Sequence, residues 1–204
     1  KRGVSMSGTY PTSPTFKTLG FRSEQKTLTS TTDSGKMFSV QVDGQRWKFS
    51  ASYPAMGRTT FAPVYAFIIK QRSQKETFTI IPPVISSARG HETASVLVNG
   101  AHTAGDTTIT INGHQNNSAG AFKAGDLIKF ASHSKVYMIV EDVTPSGNAS
   151  TITIEPPLRN ALADDEAITY DNVPFTVRLT NDVQQFNTDD LDKYNFEVDF
   201  CESL

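Results

Sequence analysis

Two alternating segments flank the dipeptide Asp43-Gly44, and they constrain the fold more than any other feature of the chain. An Asp-Gly pair supplies the two positive-φ positions of a tight type I′ turn, and alternation on both sides is typical of half-buried strands. A hairpin closed at this turn gives two apolar cross-strand pairs on one face, Val40 with Trp47 and Phe38 with Phe49. The pattern predicts a β-rich domain whose first secure element is this hairpin.

One helix and three further strands are predicted outside the middle of the chain. Phe61, Val64, Tyr65 and Ile68 recur at helical spacing, with Thr60 as the expected cap and Pro63 in the first turn. The predicted strands are Thr77–Ile81, Phe175–Leu179 and Tyr194–Cys201. In the last strand Phe196, Val198 and Phe200 share a face, and Glu197, Asp199 and Glu202 are expected elsewhere. The Ser-, Thr-, Gly- and Pro-rich start, Lys1 to about Thr32, is expected to be an extended or poorly ordered arm.

The character of the sequence changes between Pro82-Pro83 and Asn172-Val173-Pro174. Short apolar β segments alternate there with Asn-Gly and Gly-containing turns, which is typical of a small antiparallel barrel or sandwich. The predicted segments are Thr93–Val98, Thr107–Ile111, Asp126–Phe130, Lys135–Val143 and Ser150–Ile154, with an edge strand at Ala167–Tyr170. We therefore predict that residues 84–171 are inserted between the two parts, 1–83 and 172–204, of one β-rich domain.

Composition excludes several classes of protein. With 37% hydrophobic and 20% charged residues the chain can bury a core, and its longest uncharged apolar run, Phe61–Ile69, is too short for a membrane-spanning helix. We expect no secretory signal, because no basic start followed by an apolar segment occurs at the N-terminus. The single cysteine, Cys201, excludes an internal disulfide framework and a multi-cysteine zinc site.

Charge is distributed unevenly along the chain. Residues 1–90 carry thirteen Lys and Arg against four Asp and Glu, whereas residues 91–204 carry six against seventeen. Such polarity favours two surfaces of opposite sign, which suits contacts between copies, although two ordinary solvated surfaces give the same pattern. Positive residues are scattered singly rather than clustered with aromatics, which argues against nucleic-acid recognition.

Candidate catalytic and metal-binding residues form no recognisable motif. The spacings of His91, His102, His114 and His133 match no helical metal motif, and we interpret them as solvent-facing or locally bonded loop residues. No G-x-S-x-G elbow or phosphate-binding loop occurs, and Cys201 on an alternating strand is interpreted as structural. Asp164-Asp165-Glu166 predicts a solvated turn, and Asp189-Asp190 with Asp192 resembles a calcium loop only weakly. We therefore predict no catalytic, cofactor or metal site and no enzymatic activity.

One segment is specific without being catalytic. Lys123-Ala124-Gly125-Asp126 enters an apolar strand, His133 to Tyr137 begins the next, and Glu155-Pro156-Pro157-Leu158 follows a third. With Ser52-Tyr53-Pro54, Tyr65-Ala66-Phe67 and the terminal Glu202-Ser203-Leu204, this pattern resembles the distal tail protein family of T-five-type siphophages. The resemblance extends from about Leu19 to the last residue and is looser in residues 84–122.

The resemblance implies a β-sandwich tail domain with an inserted OB-fold-like barrel. It further implies a ring of six copies at the distal end of a virion tail, built in the host cytoplasm. Such a ring joins the tail tube to the baseplate hub or tip, and DNA crosses it without sequence readout. The family supplies no catalytic residues, cofactor or membrane contact.

Two other functional hypotheses remain open at this point. The first is a carbohydrate-binding accessory module, because OB-like barrels bind oligosaccharides or single strands. Residues 84–171 carry five Lys and Arg against ten Asp and Glu, which disfavours nucleic acid. The second is another ring subunit, such as that of the tail tube.

Overall fold

The computed structural model describes residues 6–189 and 192–204, and this part of the chain contains thirteen strands and one helix. The elements, in chain order, are β1 Met6–Thr9, β2 Thr18–Thr31, β3 Met37–Ser52, α1 Arg58–Lys70, β4 Thr77–Ile80, β5 Leu97–Val98, β6 Thr108–Asn112, β7 Leu127–Phe130, β8 Val136–Ile139, β9 Ala149–Glu155, β10 Ile168–Thr169, β11 Phe175–Leu179, β12 Phe186–Thr188 and β13 Tyr194–Glu202. The prediction of a mainly β chain with one short helix and a small barrel is confirmed.

The chain separates into two compact units. One contains the residues up to Phe78 together with Val177–Ser203, and the other is formed chiefly by Thr79–Thr176. Among the described residues no helix has the length and apolar character needed to cross a membrane.

The first unit is built on a seven-stranded sheet. Its strand order is β1-β4-β11-β13-β3-β2, and β12 pairs with β13 beside this path. Alternation along β13 buries Phe196, Val198 and Phe200, as the sequence predicted. Glu202 continues the same face and is fully buried, where its carboxylate accepts a hydrogen bond from Trp47 N at 3.2 Å. The expectation that Glu202 lies away from this face is therefore wrong.

The predicted hairpin at Asp43-Gly44 is also wrong, because β3 continues through this dipeptide. Its partner is β2, with Phe49 opposite Phe21 and Val40 opposite Leu28. The register shifts between Glu24 and Lys26, which face Arg46 and Val42, so Asp43-Gly44 lies in a β-bulge. The actual reversal follows β2, where Gly35 has a φ of 80° and donates to Thr32 O at 2.8 Å. Pairing with the long strand β2 uses thirteen residue pairs, far more than the short predicted hairpin offers.

Of the two alternatives predicted for the N-terminal region, an extended or a poorly ordered arm, the structure has the extended one. Within the described residues it forms β1 and β2, while Lys1–Ser5 lie outside the described residues. Threonine is favoured in strands because its β-branched side chain fits the pleated surface, and β2 contains Thr27, Thr29 and Thr31 in alternation. A Ser- and Thr-rich composition therefore indicated a strand here.

Helix α1 packs through the predicted apolar positions. Phe61, Val64 and Ile68 are buried, and the Phe61 ring stacks on Tyr194 with centroids 4.7 Å apart. The helix begins earlier than expected, with Gly57 as its N-cap and no side-chain cap. Thr60 therefore lies inside the first turn instead of capping it.

Two buried tyrosines form a polar contact in the aromatic core of this unit. The Tyr53 hydroxyl donates to the Tyr10 hydroxyl at 2.8 Å, and the Tyr10 ring packs edge-on against Phe200. Burial raises the pKa of Tyr53 to about 12, and burial, with Tyr53 close by, raises that of Tyr10 further. Both hydroxyls therefore stay protonated at physiological pH.

The second unit is a nearly closed six-stranded barrel. Its strand order is β10-β7-β8-β9-β6-β5, and the two ends approach each other through Val98 N, which donates to Glu166 O at 2.9 Å. Closure of this kind removes the exposed edges of an open sheet. The inward-facing residues form one apolar cluster that includes Ile109, Phe122, Phe130, Tyr137 and Ile152. All six strands fall within or close to the segments predicted from the alternation.

Candidate functional site

The specific motif Lys123–Asp126 places a buried carboxylate at the start of β7. Asp126 is 1% exposed and accepts hydrogen bonds from Arg89 N at 2.8 Å, Gly90 N at 3.1 Å and Lys123 N at 2.8 Å. Gly125 has a φ of 97°, a conformation that glycine adopts without strain. The motif therefore joins the entry segment of the barrel, residues 88–94, to the turn before β7.

Position 90 of this junction requires glycine, because there is no space for a side chain. A Cβ added there would lie 2.0 Å from the backbone oxygen of Ala121. The close approach accompanies two backbone hydrogen bonds between these segments, from His91 N to Gly120 O and from Glu92 N to Ala121 O. Residues 88–94 are thus held against residues 120–126 by backbone contacts as well as by Asp126.

A second buried carboxylate, Glu92, continues this network. Its Oε1 accepts hydrogen bonds from the N–H groups of Thr93, Ala94 and Gln115 at 3.0, 2.9 and 3.2 Å. Its Oε2 lies 2.8 Å from Nδ1 of His114, whose Nε2 lies 2.7 Å from Ser150 Oγ. Burial raises the pKa of Glu92, but the bonds from Ala94 N, His114 and the other N–H groups outweigh it. The pKa therefore lies below its usual range.

The order Glu92–His114–Ser150 matches the connectivity of a hydrolase triad. A hydrolase serine stands on an exposed, sharp turn beside donors that stabilise an oxyanion. Ser150 instead lies within β9, half-buried and directly opposite Ile111 of β6. We interpret the chain of bonds as a structural connection between three segments of the barrel.

The stability of the barrel is expected to depend on pH through Glu92. Because its pKa is depressed in the folded state, its contribution is present above the pKa of the unfolded chain. That contribution is lost as pH falls through the folded pKa, below roughly pH 4–5. Glu92→Gln should lower stability at neutral pH by about 2 kcal/mol and make the acid dependence shallower. Melting curves measured over roughly pH 3–7, which includes the range in which carboxyl groups titrate, test this prediction. The control is Glu155→Gln, because Glu155 is an exposed glutamate of the same unit. An unchanged acid profile for Glu92→Gln would contradict it.

The other histidines also have local roles. His133 is 3% exposed, and its Nδ1 lies 2.8 Å from the Tyr137 hydroxyl, which accepts a bond from Arg159 N. His102 Nε2 accepts a hydrogen bond from Thr110 N, and His91 is exposed. His114 and His133 are therefore locally bonded but not solvent-facing. In residues 6–189 and 192–204 no group of three His, Cys, Asp or Glu is placed to hold a metal ion.

The remaining candidate residues are separated from one another. Glu166 of the predicted acidic turn accepts hydrogen bonds from Ser132 N and Oγ, and Asp164 accepts one from Gly100 N at 2.6 Å. Asp189 accepts one from Lys193 N at 2.8 Å, whereas Asp190 lies outside the described residues. Cys201 is half-buried within β13, opposite Lys48 and Arg178.

The second unit also contains a cavity of about 460 Å³. Its walls are the entry segment and the end of the barrel, and it is lined by Ala88, Gly90, Glu92, Thr93, Tyr170 and Asp171. Tyr170 packs edge-on against Phe122 with centroids 5.2 Å apart, and its hydroxyl donates to Ala94 O at 2.6 Å. Sequence reasoning did not identify this cavity, because its lining residues belong to two segments more than seventy positions apart.

Several exposed apolar side chains lie on the hairpin of β2 and β3. All residues from 22 to 41, which we call the hairpin arm, are exposed. Leu28, Phe38 and Val40 are 55%, 50% and 64% exposed, and Leu28 lies directly opposite Val40. Strand β13 pairs only with residues 48–52 of β3, so it does not cover the arm. The predicted turn at Asp43-Gly44 concealed this feature.

Comparison with known protein families finds one whose model matches most of the second unit. Residues 84–173 match the family described as distal tail protein pb9, B domain. The barrel segment is therefore similar to a domain of distal tail proteins, and the resemblance found in the sequence is confirmed.

The likeness also extends beyond the barrel. Over 176 aligned residues the chain is 25% identical to distal tail protein pb9 of Escherichia phage T5. The alignment covers 83% of this chain and 84% of that protein. Homology to a phage distal tail protein supports a structural role in a phage tail.

Proposed function

We propose that this protein is the subunit of a ring, composed of six copies, at the distal end of a phage tail. The ring joins the tail tube to the baseplate hub or tip and surrounds a channel through which DNA leaves the virion. Homology to distal tail protein pb9 supports the proposed location in the tail. The uncovered hairpin arm is the observation that supports assembly into a ring. The copies are built in the host cytoplasm, and the role requires no catalysis, cofactor or membrane contact.

The hairpin arm needs a partner on physical grounds. A two-stranded ribbon with solvent on both faces is at best marginally stable in water. Here its strands present unpaired edges, and Leu28, Phe38 and Val40 form an apolar row on one face. Burial of such side chains contributes roughly 1.5–3 kcal/mol each. A neighbouring copy that covers this row would stabilise the arm and close the ring through repeated heterologous contacts.

The uneven charge distribution supports contacts between copies of the chain. The unit formed by residues up to 78 and 177–203 carries fourteen Lys and Arg against eleven Asp and Glu, whereas residues 79–176 carry five against ten. Opposite net charges favour contacts between unlike surfaces of neighbouring copies or rings.

Ring formation is accordingly expected to weaken as salt rises. Screening at 1 M salt shortens the Debye length to about 3 Å, so exposed charges on neighbouring copies lose most of their attraction. Sedimentation of tail-tip assemblies across a salt series measures the effect, and an uncharged osmolyte at matched osmolality is the control. Assembly that is indifferent to ionic strength would contradict the electrostatic part of the proposal.

We also propose that residues 84–171 act as a module inserted in a domain formed by 1–83 and 172–204. The family match to 84–173 supports these boundaries, and the OB-fold likeness of the barrel is part of the same proposal.

Electron microscopy of virions labelled with an antibody against this chain tests the proposed location. Label is expected at the distal end of the tail, beside the tip. Label along the whole tube would instead identify a tube subunit, and virions without label would contradict a structural role.

A further inference from the structure

We propose that the cavity between residues 88–93 and 170–171 binds an uncharged, polyhydroxylated ligand, a saccharide. Its volume of about 460 Å³ is within the range of small-molecule sites, roughly 300–1,000 Å³. Its lining combines one aromatic ring, Tyr170, with Thr93 and Asp171, which bring a hydroxyl and a carboxylate, and the carboxylate of the lining residue Glu92 is buried behind them. This inference concerns a different surface from the hairpin arm and goes beyond the ring proposed above.

The hydrogen-bonding groups of the cavity favour a donor-rich ligand. The Thr93 hydroxyl donates to Gln115 Oε1, so its oxygen is left as an acceptor. Asp171 receives Ala88 N on Oδ1 at 3.4 Å and Asn172 Nδ2 on Oδ2 at 3.0 Å, and each oxygen retains a further acceptor position. Sugar hydroxyls can donate to these oxygens, while the partly buried Tyr170 ring offers an apolar surface to the C–H groups of a sugar.

Other classes of ligand fit less well. A phosphate or nucleic acid would be repelled by Glu92 and Asp171, in a unit with twice as many acidic as basic residues. An apolar ligand would leave the carboxylate of Asp171 and the hydroxyl of Thr93 without solvent. The described residues include no group of three metal-binding side chains, so the two carboxylates alone do not make a cation site.

The walls of the cavity are held in place before any ligand binds. Three carboxylates accept hydrogen bonds from the backbone of the entry segment. Asp171 accepts from Ala88 N, Asp126 from Arg89 N and Gly90 N, and Glu92 from Thr93 N and Ala94 N. From the other wall, the Tyr170 hydroxyl donates a hydrogen bond to Ala94 O. Because these contacts fix the backbone, a ligand would not have to order the loop, which removes a major cost of binding.

A printed array of bacterial surface saccharides, probed with the fluorescently labelled full chain, tests this inference. Saccharide signals are expected, and both Asp171→Asn and Thr93→Val should weaken them about tenfold. Glu155→Gln removes an exposed charge of the same unit and should leave them unchanged, with melting temperatures confirming that each variant is folded. No saccharide signal would overturn the proposal. Signals that persist in both cavity variants would overturn it as well. Antibody labelling at the tail end is independent of all these outcomes, so failure here leaves the ring proposal standing.

Discussion

Replacement of Asp126 by alanine is expected to destabilise the barrel by about 4 kcal/mol. The carboxylate is 1% exposed and accepts three backbone hydrogen bonds, so its removal takes the acceptor from the N–H groups of Arg89, Gly90 and Lys123. Hydrogen bonds to a charged group contribute roughly 1.5–3 kcal/mol each, and they are not fully additive within one network. Urea unfolding of the full chain, followed by a signal from the barrel, measures the loss.

Asp142→Ala is the matched control for this prediction. Asp142 also accepts a backbone hydrogen bond, from Ala124 N at 2.9 Å, and lies 2.8 Å from Lys123 Nζ. Its side chain is 57% exposed, so water replaces these partners, and the loss should be much smaller than that of Asp126→Ala. Equal stabilities of the two variants would show that Asp126 does not organise the barrel entry.

The double variant Leu28→Asp/Val40→Asp is expected to prevent incorporation of the chain into tails. These side chains lie opposite each other on the apolar row of the hairpin arm. Loss of two apolar contacts and burial of two charges should weaken assembly by at least about a hundredfold. The measurement is complementation of a phage that lacks the chain, with tails counted by electron microscopy and the variant quantified in purified particles.

Val183→Asp is the control for the arm, compared with the single variant Val40→Asp. Both valines are exposed, at 77% and 64%, so neither change removes a core contact and both proteins should keep the wild-type melting temperature. Only Val40→Asp should reduce incorporation. If the arm variants enter tails as efficiently as the wild type, the arm does not form the contact between copies.

The fold could be predicted where a local pattern had one physical solution. Alternation in residues 84–171 can bury only one face of each short segment, and the barrel strands lie close to their predicted positions. The helix was predicted from Phe61, Val64 and Ile68 for the same reason. Its cap was not, because Gly57 caps through its backbone and leaves no side-chain signal.

The prediction of a hairpin at Asp43-Gly44 failed because a local turn signal competes with long-range strand pairing. Asp43-Gly44 satisfies a type I′ turn locally, but β2 offers a longer partner, and the dipeptide is accommodated as a bulge. Asp33, Ser34 and Gly35 are also turn residues, but they follow the predicted N-terminal arm, which ended at about Thr32, and no turn was predicted from them.

The internal contacts of the candidate site were beyond sequence reasoning for a similar reason. Glu92 reaches His114, and Asp126 reaches Arg89, across 22 and 37 residues. No periodicity encodes such contacts. The Lys123–Asp126 motif was recognised as specific, but its role became clear only with the bonds that the carboxylate accepts.

Cryo-electron microscopy of the tail tip tests the central claim most directly. We expect one ring of six copies at the distal end of the tube, with each hairpin arm covered by a neighbouring copy along Leu28, Phe38 and Val40. A reconstruction in which this fold repeats along the tube, or in which the arms point into solvent between separate copies, would contradict the account.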